Sequence, residues 1–132
     1  MLRLFNIGVW FTALGLVFLG LHTLVVPELA AQGYGLGLSG DAPGWMLAAG
    51  ARDLALGLAL LTQRKRPQVL LPLLLCTAVV PLSDVLIVWR ETGVLARAVP
   101  HLTGLVGILV LCVMCWRKRG HRVVAEPPES AG

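Results

Sequence analysis

The apolar residues of this chain fall in four long blocks separated by short polar connections. The first block runs from about Leu4 to Val26, the second from Gly44 to Thr62, the third from Gln68 to Arg90, and the last from about Val94 to Trp116. Each approximates the roughly 20 residues that cross a hydrocarbon core about 30 Å thick. A lipid-exposed backbone must satisfy its own hydrogen bonds, so the blocks are predicted as helices. The pattern therefore predicts an all-α fold, an integral membrane bundle of four transmembrane helices over residues 1–119. A disordered cytoplasmic tail over residues 120–132, ending in EPPESAG, is expected to follow.

Composition supports the same class. Of 132 residues, 57% are hydrophobic and only 14% charged, against about 25% charged in soluble domains. The first block invites a second reading as a signal peptide, with Arg3 as the basic start and Leu29-Ala30-Ala31 as a weak cleavage site. Its apolar stretch exceeds the roughly 7–15 residues of a signal core, so it is expected to be retained. Basic residues cluster at Arg3, at Arg64-Lys65-Arg66 and at Arg117, Lys118, Arg119 and Arg122, whereas the first connection carries Glu28 and Asp41 and no Lys or Arg. That imbalance predicts a multi-pass protein of the cell membrane with both termini in the cytoplasm. It also accounts for most of the net charge of +4, which leaves no basic face for a nucleic-acid partner. Membrane lipid is the expected surrounding partner.

The connections add little chemistry. PELAAQGYGLGLSGDAPG reads as a flexible outer loop or lid, and its GLGLSG run matches GxGxxG only by accident, because no strand precedes it. Cys112 and Cys115 form a CxxC and Cys76 lies in the third block, but a redox site needs a soluble βαβ context. All three read as small packing residues. No cofactor is implied.

Depth is the informative coordinate. Alternating topology places His22 near the outer end of span one, and Arg52 and Asp53 roughly 12 Å below the outer surface in span two. Asp84 lies roughly 9 Å from the outer end of span three, with His101 at similar depth in span four. Four spans thus contribute ionisable groups to one layer. Gly8, Thr12, Gly15, Leu19 and His22 form a stripe on span one, while Ala49, Asp53 and Gly57 recur every four residues on span two. Small residues on such stripes allow close helix approach. Pro81 before Asp84, and Pro100 before His101, mark expected breaks in the helices.

Energetics demand partners for these charges. A central Arg or Asp costs about 2.5–3.5 kcal/mol on insertion, against a gain of about 0.3–0.6 kcal/mol for each leucine. Adjacent helical residues point about 100° apart, which argues against mutual neutralisation of Arg52 and Asp53. Arg52 is therefore expected to pair with Asp84, and Asp53 to face His101 or His22. Arg52, Asp53 and Asp84 sum to minus one, so a proton on His101 or His22 would neutralise the layer. The residue types suit proton shuttling or acid–base work. An interhelical lock is the structural alternative.

GARDLALGLALL, followed by PLSDVLIVW and PHLTG, resembles an uncharacterised family of small four-helix membrane proteins, domain of unknown function four-two-six-seven. The resemblance covers most of the chain. It implies a four-helix bundle and draws attention to Gly50, Arg52, Asp53, Gly57, Asp84 and His101. A looser similarity to small four-helix proteins that enclose sterol-like or quinone-like molecules is one of fold alone.

Three functions follow as expectations. In the first, the layer is a pocket for a small lipophilic ligand and possesses the groups to isomerise or hydrate it. Asp53 or Asp84 is then the base, His101 the proton donor and Arg52 the orienting cation, with His22, Gly50 and Gly57 as ligand-contacting positions. The second is a proton-coupled small transporter working as a homo-oligomer. The third is a structural or accessory subunit held together by its charges. No close ligand spacing such as HxxxH points to a metal site.

Overall fold

A computed structural model describes residues 2–34 and 42–123. In chain order the elements are α1 (Leu2–Val25), α2 (Pro27–Tyr34), α3 (Ala42–Gln63), α4 (Pro67–Thr92), a 3-10 turn (Leu95–Ala98) and α5 (Val99–Val123). Among the described residues no strand occurs. Four helical stretches are long and apolar enough to cross a membrane: Arg3–Val25, Gly44–Gln63, Pro67–Thr92 and Leu95–Lys118. Leu4, Phe11, Phe18, Trp89 and Trp116 stand mostly exposed around them. In a bilayer that apolar surface faces lipid, and the helices satisfy their own backbone. The protein is an all-α membrane protein.

Prolines set several helix boundaries. Pro27 opens α2 with one residue between it and the end of α1, and has no N–H to continue the ladder. The ladder nevertheless spans the break, with Val26 N–H donating to His22 O at 2.9 Å and Ala30 N–H to Val26 O at 3.0 Å. Pro100 sits in the first turn of α5, where a missing N–H costs nothing. The expected break beside His101 is thus a helix start, because the chain first turns through Leu95–Ala98. Pro72 and Pro81 lie inside α4, which runs on through both. Gly93 ends α4 at φ 65°, a left-handed cap whose N–H donates to Trp89 O at 2.8 Å.

The connection after α1 departs from the loop expected there. Its first eight residues form α2, which packs against α1 and α3. The GLGLSG run lies outside the described residues. So does the tail from residue 124, whereas α5 continues helically to Val123, beyond the expected end of the bundle at residue 119.

Helix α1 packs chiefly along α3, and α4 along α5. The α1–α3 seam brings backbones together. A Cβ added to Gly20 would lie 2.6 Å from Leu54 N, one on Gly57 2.8 Å from Ala13 O, and one on Gly50 3.0 Å from Gly20 O. On α1 the buried positions are Phe5, Val9, Ala13, Gly20 and Thr23, not the predicted stripe. Leu19 is half exposed, and Gly15 has nothing within contact of an added Cβ. Gly8 does make a close approach, to Leu111 on α5. The difference has a simple cause: α1 is apolar on every side, so small residues alone had to mark its face.

The main apolar cluster joins Val9 and Ala13 of α1, Leu60 of α3, Leu74 of α4 and Leu111 and Cys115 of α5. Cys112 and Cys115 are buried packing residues, while Cys76 is exposed. A smaller cluster of Val85, Val88 and Ala98, flanked by Tyr34 and Leu102, lies at the α2 end of the bundle. On α4, Asp84 is buried just before this smaller cluster begins.

Candidate functional site: a charged layer under α2

Four helices contribute to one polar layer. Arg52 and Asp53 come from α3, Asp84 from α4, His101 from α5, and Tyr34 from the last turn of α2. Exposure falls across the layer, with side chains 35% exposed at Arg52, 18% at Asp53, 14% at His101 and 7% at Asp84. The layer therefore has an open edge at Arg52 and a closed centre at Asp84.

Arg52 bridges two carboxylates. Its Nε donates to Asp53 Oδ1 at 3.0 Å, and its Nη2 lies 3.6 Å from Asp84 Oδ2. The cross-helix approach to Asp84 matches the expected pairing. The contact with Asp53 overturns the argument from helix geometry. Cβ directions do diverge by about 100° at adjacent positions, but the long guanidinium stem bends back and spans the gap. Asp53 thus takes Arg52 as its hydrogen-bond partner, and His101 acts on it only through space. His22 is far from the role proposed for it: its ring stacks on Phe18, one turn earlier on α1, with centroids 6.1 Å apart.

His101 turns its two ring nitrogens to different acceptors. Nδ1 lies 3.7 Å from Asp84 Oδ2, and Nε2 lies 3.2 Å from the Tyr34 carbonyl oxygen. A carbonyl can only accept, so Nε2 carries a proton and donates it to the end of α2. The other nitrogen, Nδ1, is left facing the Asp84 carboxyl. A single proton held at either Asp84 or His101 would balance Arg52, Asp53 and Asp84 to zero net charge. A neutral layer is the form that apolar surroundings tolerate best.

Within the layer, two polar atoms remain over. Asp84 Oδ1 and Arg52 Nη2 are buried and make no hydrogen bond among the described residues. One is an acceptor and the other a donor, on the two groups that face each other across α3 and α4.

Tyr34 escaped the sequence reading. Its ring meets His101 at a centroid distance of 4.5 Å and Trp45 edge-on at 5.6 Å. Burial pushes its phenol well above the ordinary tyrosine range, and its approach to the Asp84 carboxylate as a hydrogen-bond donor adds to the shift. A signal for α2 was present, since Pro27 and Glu28 are a good first turn. The glycines that follow masked it.

Gly50 and Gly57 lie in the α1–α3 seam, where added atoms would strike Gly20, Thr23, Ala13 and Val17 of α1. They set the position of α3 and thereby aim Arg52 and Asp53. Among the described residues no group of three or more His, Cys, Asp or Glu is arranged to hold a metal ion.

Neither the curated proteins nor the solved structures contain a significant match to the chain. One family does match, over residues 13–116, a stretch that takes in α3, α4 and every charged member of the layer. The chain belongs to that family, the domain of unknown function DUF4267.

Proposed function

We propose that the Arg52–Asp53–Asp84–His101 layer binds the polar group of a small lipophilic molecule and exchanges a proton with it. The observation that carries this reading is the combination at Asp84. Asp84 is 5% exposed, its Oδ2 lies 3.7 Å from His101 Nδ1, and its Oδ1 is unpartnered among the described residues. A buried acceptor without a partner costs about 1–3 kcal/mol, and intramembrane ionisable groups commonly mark substrate or proton paths. In this reading Asp84 and His101 hold the mobile proton, Arg52 orients the bound group, and Asp53 holds Arg52 in place. Isomerisation or hydration of a lipid is the chemistry such a pair supports. The basic clusters at the ends of α3 and α5 favour a cytoplasmic position for both termini.

The test is to purify the protein under mild conditions and identify co-purifying small molecules by native mass spectrometry. A lipophilic molecule retained by the wild type and lost from Asp84→Asn supports binding. A wild-type protein that retains none, and whose thermal stability ignores a lipid library, removes the proposal.

A second reading draws on the same distances. Arg52 ties α3 to α4, while His101 ties α5 to α4 and to α2. As a purely structural lock, the layer would lose folding whenever its charges are removed. Folded, detergent-stable Asp84→Asn protein would count against a lock.

A further inference from the structure

The two unsatisfied atoms say more about the ligand than the layer as a whole does. Asp84 Oδ1 needs a donor, and Arg52 Nη2 needs an acceptor. Nη2 lies 3.6 Å from Asp84 Oδ2, and Oδ1 shares a carbon with Oδ2, so the two unsatisfied atoms belong to groups in direct approach. A hydroxyl is the smallest group that donates and accepts through one atom. Charge narrows the choice further. A carboxylate or phosphate would bring a further negative charge beside two aspartates that already share one guanidinium. An ammonium would meet the Arg52 guanidinium. Either would carry an unpaired charge into an apolar setting, at high cost.

The surroundings supply the rest of the molecule. Asp84 is flanked along α4 by buried apolar residues, Ala78 on one side and Val85 and Val88 on the other. Arg52, the most exposed member of the layer, lies on a helix whose neighbouring Leu47 and Leu58 are exposed to the surrounding lipid. From these observations we infer that the ligand is an uncharged membrane-soluble alcohol, whose hydroxyl donates to Asp84 Oδ1 and accepts from Arg52 Nη2. This rests on the proposed binding function and gives it a substrate class.

A ligand series on wild-type protein tests it without relying on variants that fold poorly. The probes are 1-hexadecanol, its methyl ether, hexadecanoic acid and hexadecylamine, together with a 3-hydroxysterol and its methyl ether. Each is titrated into purified protein in nanodiscs, with the melting temperature as readout. The alcohols are expected to raise it by several degrees. Each methyl ether keeps the acceptor but loses the donor, and should bind about tenfold or more weakly. Ethers as effective as their alcohols overturn the hydroxyl assignment. Stronger stabilisation by the acid or the amine overturns it too, while leaving lipophile binding at this layer intact. Failure of every probe overturns the alcohol assignment, and a molecule of another class found by native mass spectrometry would then preserve the broader proposal.

Discussion

At the scale of single residues, Arg52 is the hinge of the layer because it touches both aspartates. Removing it leaves Asp84 buried beside His101 with no fixed cation, and breaking such a pair is more costly than never having built it. A double-mutant cycle between Arg52→Gln and Asp84→Asn is expected to give a coupling of about 1 kcal/mol or more. The same cycle between His22→Ala and Asp84→Asn should be additive within about 0.5 kcal/mol, because His22 stacks on Phe18 instead. Unfolding in mixed micelles provides the readout. The tautomer of His101 gives an independent check. Nitrogen NMR should find Nε2 protonated whenever the protein is folded, with any change of state confined to Nδ1. A deprotonated Nε2 would mean that the link to the Tyr34 carbonyl does not form.

Among the elements, α2 and the α1–α3 seam make the sharpest predictions. Tyr34 is the chain's single tyrosine, so its ionisation can be followed by absorbance without interference from other phenols. Its folded pKa is raised above the ordinary value of 10.0, first by burial and then by Asp84. Its contribution to stability is therefore complete below about pH 10 and declines as the pH rises above it. At pH 11 the folded protein should show almost no tyrosinate, whereas denatured protein should show most of it. Tyr34→Phe should flatten the alkaline loss of stability. In the seam, Gly57→Ala forces a Cβ to 2.8 Å from the Ala13 carbonyl oxygen, and a loss of about 2 kcal/mol is expected. Gly15→Ala adds a methyl where nothing lies within 4 Å and should change stability by less than about 0.5 kcal/mol.

At the scale of the whole molecule, the proposed topology of four crossings puts both ends of the bundle on one side of the membrane. Reporter fusions before α1 and after α5 should therefore give the same signal, and the basic clusters predict the cytoplasmic one. This architecture was legible because long apolar blocks translate almost directly into helices when lipid is the solvent. The candidate layer was legible in outline for a related reason: Arg52, Asp53, Asp84 and His101 are conspicuous in apolar surroundings, and alternating topology brings them to one depth. Its wiring was not. Sequence spacing describes Cβ directions, but Arg52 reaches Asp53 through the length of its stem, and His101 chose Asp84 through the packing of α4 on α5. Helix α2 was obscured by the glycine-rich run after it, and Tyr34 with it.

The contact between Arg52 and Asp53 also bears on how the protein is made. During synthesis α3 emerges before α4, so Arg52 enters the membrane about thirty residues ahead of Asp84. At that stage its neighbour is the one carboxylate available on the same span. A pair that looks redundant in the finished bundle would let α3 cross as a locally neutral segment, before Asp84 arrives on a separate span. Asp53→Asn should accordingly impair insertion of α3 in a truncated chain ending before α4, as read by a glycosylation-based insertion assay. An unchanged insertion efficiency would confine Asp53 to the folded protein.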